Sequence, residues 1–303
     1  MIAAWPGMGR VALTACYYLI AKLGMEFRSE FASSDLFDVD HVAVDAGLIQ
    51  PFQYPKNQFF VWKNQTGGSD LLLFIGEAQP PQGRYNFCRK LIDYALREGV
   101  TKIFTFAAIA TAIDFQDDSK AIGAATDTET MHQLLANDFG ILSNGRISGM
   151  NGILLGVASE RKIPGGCLLG EMPANLVNVP FPRASLAVLK SFGKLVDMDL
   201  DLEELQIEVH RMDEHLIEAQ NHFARLEQDG KSEAPDDEDT FTPDPRENGK
   251  LSTDDKASLE TLFVEAMQNR AKAFELKREL DRLNVFRDYE DRFLDLFRAD
   301  GSN

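Results

Sequence analysis

The chain has 303 residues, 44% of them apolar, and a formal net charge of −17. That is enough apolar material for one large or two smaller domains, and no run approaches the roughly 20 apolar residues that span a bilayer. The charge is uneven, with 18 acids and 17 bases over residues 1–196 but 30 and 14 over 197–303, so no basic face offers itself to nucleic acid.

Cys16, Cys88 and Cys167 are odd in number, far apart and set among apolar residues. They read as reduced thiols of a cytoplasmic protein without a signal peptide or membrane segment.

Residues 2–5 form an apolar strand that Pro6 ends, since proline cannot donate to a ladder. Gly7 and Gly9 allow a sharp turn, and from Arg10 onward Val11, Leu13, Ala15, Tyr18, Leu19 and Leu23 recur at helical spacing until Gly24. A helix starting behind such a turn offers unpaired N–H groups to an anion. Gly7-x-Gly9-x-x-Ala12 also fits the dinucleotide fingerprint, with Glu30 placed as a ribose acid. The plainer reading, a tight turn that packs helix on strand, is favoured.

Residues 26–31 read as a second strand, 39–44 as a third interrupted by Asp40 and His41, and 47–57, with Pro51 and Pro55, as a loop. Strands follow at 59–63 and 70–75, joined by a turn at Gly67-Gly68, the second apolar enough to be buried on both faces. From there strand and helix alternate: helix 85–96 closed by Gly99, strand 102–108, helix 131–138, short strand 140–143, a glycine turn at 146–152 opening helix 153–160, strand 167–172 and helix 184–196. This alternation predicts a three-layer α/β domain with a largely parallel or mixed sheet between helices.

Ligands in open α/β sheets sit beyond the carboxyl ends of the strands. The loops there would bring Trp5, Gly7, Gly9, Glu77, Gln79, Ser148, Asn151, Gly152 and Glu171 around one crevice. The plainer alternative makes them cap and turn residues. No Gly-x-Ser-x-Gly elbow surrounds Ser148, His132 has no evident acid partner, and no Walker loop, Cys-x-x-Cys pair or His-Glu-x-x-His motif is present. No catalytic residue, metal or cofactor is expected.

The last third is patterned differently. Leu202, Leu205, Val209, Met212, Leu216, Ala219, Phe223 and Leu226 alternate spacings of three and four, an a/d seam on a helix over 200–228. Residues 229–250, with three prolines, read as a mobile acidic loop. A second helix over 253–298 continues the seam through Leu259, Leu262, Ala266, Asn269, Ala273, Leu276, Leu280, Leu283 and Phe286, with Asn269 as a polar register residue. The chain thus divides into a globular domain, 1–198, and an antiparallel helical hairpin, 199–303, that projects from or flanks it and contributes to self-association; the alternative is that the hairpin packs flat on the globular domain. His215, Glu218 and His222 share a helical side but flank the seam, so they read as solvated rather than metal-binding.

Trp5-Pro6-Gly7-Met8-Gly9, the strand end Phe74-Ile75-Gly76-Glu77-Ala78-Gln79-Pro80, the link Gly99-Val100-Thr101-Lys102-Ile103 and the turn Gly149-Met150-Asn151-Gly152-Ile153 resemble the proteasome assembly chaperone 2 family in order and spacing, over about residues 1–205. The resemblance implies a fold similar to the phosphorylase/hydrolase-like core of nucleoside phosphorylases, in proteins that commonly self-associate. It further implies a homo-oligomer whose partner is the proteasome α-subunits or another protein complex, since eukaryotic members help assemble the proteasome α-ring and archaeal members are similar proteasome-binding proteins. Bacterial members have no agreed activity, and the family supplies no catalytic residues to carry over. Placing the family beside ATP-grasp ligases finds no independent support in these residues.

The ending Arg298-Ala299-Asp300-Gly301-Ser302-Asn303 lacks a hydrophobic-Tyr-x pattern, so docking by an inserted tail is not expected. The reading is a non-catalytic interaction or assembly protein of chaperone type. Its alternative is an enzyme or sensor, an ATP-grasp-like ligase or phosphorylase-like enzyme, that binds a nucleotide, nucleoside or other anionic ligand in the glycine-turn crevice.

Overall fold

A computed structural model of the chain describes residues 1–38, 42, 44–45, 47–65, 67–228, 251, 253–283 and 285–298. The apolar opening forms β1 (Ile2–Ala4), and α1 (Val11–Leu23) ends at Gly24, whose φ of 59° is the left-handed cap that the sequence predicts. There follow β2 (Glu26–Glu30), the short pair β3 (Val44–Asp45) and β4 (Leu48–Ile49), then β5 (Asn57–Trp62), β6 (Leu71–Gly76) and α2 (Arg84–Arg97). Next come β7 (Ile103–Thr111), β8 (Ala121–Ala125), α3 (Thr128–Ala136), β9 (Gly140–Ile141), α4 (Gly149–Glu160), β10 (Gly165–Pro173) and α5 (Pro182–Leu195). The last third forms α6 (Glu203–Gln228), α7 (Thr253–Gln268), α8 (Ala273–Arg282) and α9 (Phe286–Asp295).

Eight strands make one mixed sheet in the order β2-β5-β6-β1-β7-β10-β8-β9. The centre is parallel, with β1 between β6 and β7 and β10 beside β7, while β5 runs antiparallel to β2 and β6, and β8 antiparallel to β10. Strand alternation sends Ile2, Ala4, Leu71, Leu73 and Ile75 to one face, against α1, and Ala3, Trp5, Leu72 and Phe74 to the other, among residues of α2 and α4. Strand β8 has no counterpart in the sequence reading, and β4 lies inside the stretch read as a loop. Of the predicted third strand, residues 39–41 and 43 lie outside the described residues.

The C-terminal helices are present, with one difference in form. The segment expected as a single helix over 253–298 is three helices, interrupted at Asn269 and a 3-10 turn (Arg270–Lys272), and again between α8 and α9. Asn269 therefore sits at a break rather than inside a seam; its short polar side chain competes with the helical backbone, and its carbonyl accepts the Lys272 N–H at 2.9 Å.

Except for the exposed Ala219 and Asn269, the described seam side chains are buried or half-buried, most of them against the globular part. Leu205 and Val209 of α6, Leu259 and Phe263 of α7, Leu276 and Leu280 of α8 and Phe293 of α9 belong to the same hydrophobic cluster as Ala12, Tyr17 and Ile20 of α1. The rings of Tyr18 and Phe274 lie 5.0 Å apart edge to face. Phe297 closes the β2 edge by accepting the Phe27 N–H at 2.8 Å. Residues 229–250, expected as a loop, and the side chains of Phe223 and Leu226 lie outside the described residues.

Candidate functional site

The first turn is tighter than a plain strand-to-helix link. A 3-10 turn, Met8–Arg10, separates β1 from α1, and Gly9 (φ 58°) and Arg10 (φ 52°) are both left-handed. Three consecutive donors are bonded within the chain: Gly9 N–H to the Val177 carbonyl at 2.8 Å, Arg10 N–H to Gly7 at 3.1 Å and Val11 N–H to Met8. Phe181 N–H returns to the Gly9 carbonyl at 2.9 Å. The turn thus packs strand, helix and the 174–181 segment together, as the plainer reading had it. The dinucleotide fingerprint also fails on topology, because Glu30 lies on β2 and two strands, β5 and β6, separate β2 from β1.

Gln79 organises what does come together. Its Nε2 donates to the Pro6 carbonyl at 3.2 Å, and its Oε1 accepts the Met150 N–H at 3.2 Å, tying the end of β1, the loop after β6 and the first turn of α4 into one knot. Gly149 is left-handed (φ 72°), a conformation that favours glycine, and a Cβ there would stand 2.7 Å from Gln79 Oε1 and displace the amide from its bonds. Gly152 is required for another reason: its Cβ would fall 1.9 Å from the Ile147 carbonyl oxygen. Trp5, Asn151 and Gly152 belong to this region, and Ser148 caps α4 by position only, its exposed side chain making no cap bond.

Three predicted residues point elsewhere. Gly9 faces Met172 and Phe181. Glu171 accepts the Thr111 hydroxyl at 3.0 Å across β10 and β7. Glu77 accepts the Lys56 N–H at 2.7 Å, and Lys56 Nζ pairs with Asp291 of α9 at 2.6 Å. Partial burial of its carboxylate, with Asp291 and Glu30 adding repulsion, raises the Glu77 pKa above the ordinary carboxylate range. Gly7 is extended (φ −164°) with nothing nearer its Cβ position than the Trp5 carbonyl at 4.0 Å.

The sequence reading missed Asn57. Trp5 Nε1, Asn57 Oδ1 and Asn151 Oδ1 are buried without hydrogen-bond partners among the described residues. The Cβ position of Gly76 lies 2.3 Å from Trp5 Nε1 and 3.0 Å from Asn57 Oδ1, so this glycine lets the indole close on the sheet. Asn57 follows Pro55-Lys56 in what reads as a loop, and no spacing marks it.

Among the described residues no group of three His, Cys, Asp or Glu side chains can hold a metal ion, and His215, Glu218 and His222 are exposed on α6. The three cysteines are buried and free, and burial raises the Cys88 and Cys167 thiols to about 12 and about 11. A cavity of about 860 Å³ opens at the opposite, amino end of the parallel strands, among Ile2, Lys63, Leu71, Lys102 and Phe192. No described helix is long and apolar enough to cross a membrane.

The family model described as the PAC2 family matches residues 1–220. The chain belongs to the PAC2 family. An uncharacterized protein of Methanocaldococcus jannaschii is 25% identical over 242 residues, 79% of this chain and 90% of that protein. Among solved structures, PbaB of Pyrococcus furiosus, described as an archaeal proteasome activator, is 23% identical, with a TM-score of 0.62 over 72% of this chain and 93% of its own. A proteasome-assembly chaperone homologue of Mycobacterium tuberculosis is 18% identical, with a TM-score of 0.63 and the same coverage. At these identities the likeness is one of fold. The PAC2 match ends within α6, so α7, α8 and α9 are additions to the part that the family model covers.

Proposed function

We propose that this PAC2 chain is a non-catalytic interaction protein of assembly-chaperone type, acting in the cytoplasm, self-associating and engaging proteasome α-subunits or another protein complex. The observation that carries the reading is the internal bonding of the strand-end crevice. Where an α/β enzyme leaves donors open to its ligand, Gly9 and Arg10 bond within the chain and Gln79 caps α4. The proteasome link rests on the fold shared with PbaB, an archaeal proteasome activator, and with the M. tuberculosis proteasome-assembly chaperone homologue.

A second reading, small-molecule binding in the crevice, is kept alive by the unpaired Trp5 indole N–H and the unpaired amide oxygens of Asn57 and Asn151. Those groups suit a small neutral polar molecule better than the nucleotide or other anion that the glycine turn alone suggests.

Affinity capture of the tagged full-length protein from its own cells, with mass analysis of bound proteins and released small molecules, tests both. Stoichiometric recovery of proteasome α-subunits or another defined complex is the expected result. A stoichiometric metabolite recovered without a protein partner would replace the first reading with the second.

A further inference from the structure

The cavity of about 860 Å³ at the amino end of the parallel strands takes no part in the strand-end crevice. Its floor is apolar and buried: Ile2 of β1, Leu71 and Leu72 of β6, Phe104 of β7 and Phe192 of α5. Leu71 and Leu72 belong to the clusters on opposite faces of the sheet, so the cavity reaches around the strand ends. Its walls are the ends of α2 and α5. Each helix closes on a left-handed residue, Gly99 (φ 80°) or Asp197 (φ 51°). The Val100 N–H then bonds the Ala95 carbonyl at 3.0 Å, and the Met198 N–H the Gly193 carbonyl at 2.8 Å. An apolar floor of this volume beneath a few polar groups has the form of a small-molecule site.

We propose that this cavity binds a small uncharged molecule with a largely apolar body and a hydrogen-bonding group. The inference goes beyond the assembly reading and does not depend on it.

Charge decides the class of ligand. Six charged side chains line the cavity, three of each sign. Arg28 pairs with Glu98 at 3.2 Å, and Lys63 stands opposite Asp70, one step beyond the Trp62–Leu71 pair of the β5–β6 ladder. Lys102, which donates to the neutral Gln133 amide at 2.9 Å, and Asp197 complete the balance. The Met1 amine donates to the Lys102 carbonyl at 2.7 Å, and burial lowers its pKa to about 5, so it adds no charge at neutral pH. An anion finds no surplus cation here and approaches against a net charge of −17. A cation would give up its hydration over the apolar floor with no surplus carboxylate to replace it. An uncharged apolar body avoids both costs and gains dispersion contacts with Ile2, Phe104 and Phe192. The Ser69 and Thr101 hydroxyls, which bond nothing among the described residues, can meet its polar group.

The proposal is tested by equilibrium dialysis and fluorescence titration of the untagged full chain with phenylnaphthylamine, an uncharged apolar fluorophore. Anilinonaphthalenesulfonate, the same skeleton bearing a sulfonate, is the anionic counterpart. Saturable binding of a single phenylnaphthylamine per chain is expected, with the sulfonate held at least about tenfold more weakly. Thr101→Phe and Val196→Phe fill the cavity from the α2 and α5 sides. Either variant, if it keeps the wild-type circular dichroism and melting temperature, is expected to weaken phenylnaphthylamine at least about tenfold. Leu48→Lys, at an exposed apolar site that does not line the cavity, leaves binding unchanged. In the wild type itself, bound phenylnaphthylamine is expected to slow acetylation of Lys102 by acetic anhydride, read by mass mapping, and not that of Lys90 on the exposed side of α2. A wild type without saturable binding, binding that a folded filling variant retains or Leu48→Lys abolishes, or an unprotected Lys102 overturns the site. Equal affinity for the sulfonate overturns the uncharged class of ligand.

Discussion

Gly7 and Gly9 read alike in the sequence, yet the structure uses them differently. Gly7 is extended and has room for a side chain, whereas Gly9 is left-handed and its Cβ position lies 2.8 Å from Met172 Cε and 3.3 Å from Phe181 Cβ. Gly7→Ala is therefore expected to stay within about 0.5 kcal/mol of the wild type in urea unfolding. Gly9→Val, which adds a β-branched side chain to a left-handed backbone, is expected to cost about 2–4 kcal/mol. Equal effects would refute this division of roles. The turn was legible because proline and glycine mark a strand end whatever the tertiary context. Its purpose was not, since the acceptor of the Gly9 N–H, Val177, lies 168 residues away. Gln79 was legible as a strand-end residue, while its bridge from Pro6 to Met150 depends on which loops the sheet order brings together.

Between α1 and the helices α8 and α9 lies a polar group that no periodicity announces. The Tyr17 hydroxyl donates to the Glu290 carboxylate. Lys277, buried against the Tyr17 and Phe286 rings at 5.8 and 4.9 Å, pairs with Asp281, and Arg10 lies 4.0 Å from the same aspartate. Burial raises the Glu290 pKa above the ordinary range, and the Tyr17 bond and Arg10 offset this only in part. The folded state therefore holds its proton to higher pH than the unfolded chain, so stability falls as pH rises through the window between the two values. Glu290→Gln, which still accepts from Tyr17, is expected to melt near the wild type at about pH 4 and a few degrees above it at about pH 7.5. Glu208 titrates upward in both proteins and cancels in the difference, whereas the Glu77 charge repels Glu290 and is relieved by the substitution, which adds to the gain at high pH. A difference that does not change with pH would show that Glu290 is not held this way. The seam spacing identified most of the buried residues of the last third, because a three-and-four pattern reports a buried face, though it took in the exposed Ala219 and Asn269 and passed over the buried Phe263. It did not identify their partner, because Tyr17, Tyr18 and Ile20 of α1 satisfy that face as well as a second helix would. Strand β8, Ala-Ile-Gly-Ala-Ala, escaped because so few of its residues favour a strand.

The family match ends at residue 220, but the hydrophobic core does not. Had the C-terminal helices formed a free hairpin, removing them would leave an intact α/β domain with a solvated α1. Instead Leu259, Phe263, Leu276, Leu280, Phe286, Phe293 and Phe297 are buried in the cluster that holds α1. Each fully buried side chain of this kind contributes about 1.5–3 kcal/mol relative to exposure, though part of that is contact within the C-terminal helices themselves. Ion pairs reinforce the union at its edge: Lys56 with Asp291 at 2.6 Å joins α9 to the start of β5, and Lys22 with Glu204 at 2.7 Å joins α6 to α1. A chain ending after residue 228 keeps the Lys22 pair and loses the rest. Its α1 would present Tyr17 and Tyr18 to water beside Ala21 and Leu13, a contiguous apolar face on a chain whose 28 acids and 19 bases leave a net charge of −9 in place of −17, with less repulsion to hold copies apart. Such a truncation is expected to melt at least about 5 °C lower than the full chain and to bind a hydrophobic dye. Adding residues 251–303 back as a separate chain should reverse both effects, because the contacts are apolar, specific in register and need no covalent link. A truncated protein that is monomeric, dye-negative and as stable as the full chain would show instead that the C-terminal helices rest on the domain without being part of its core.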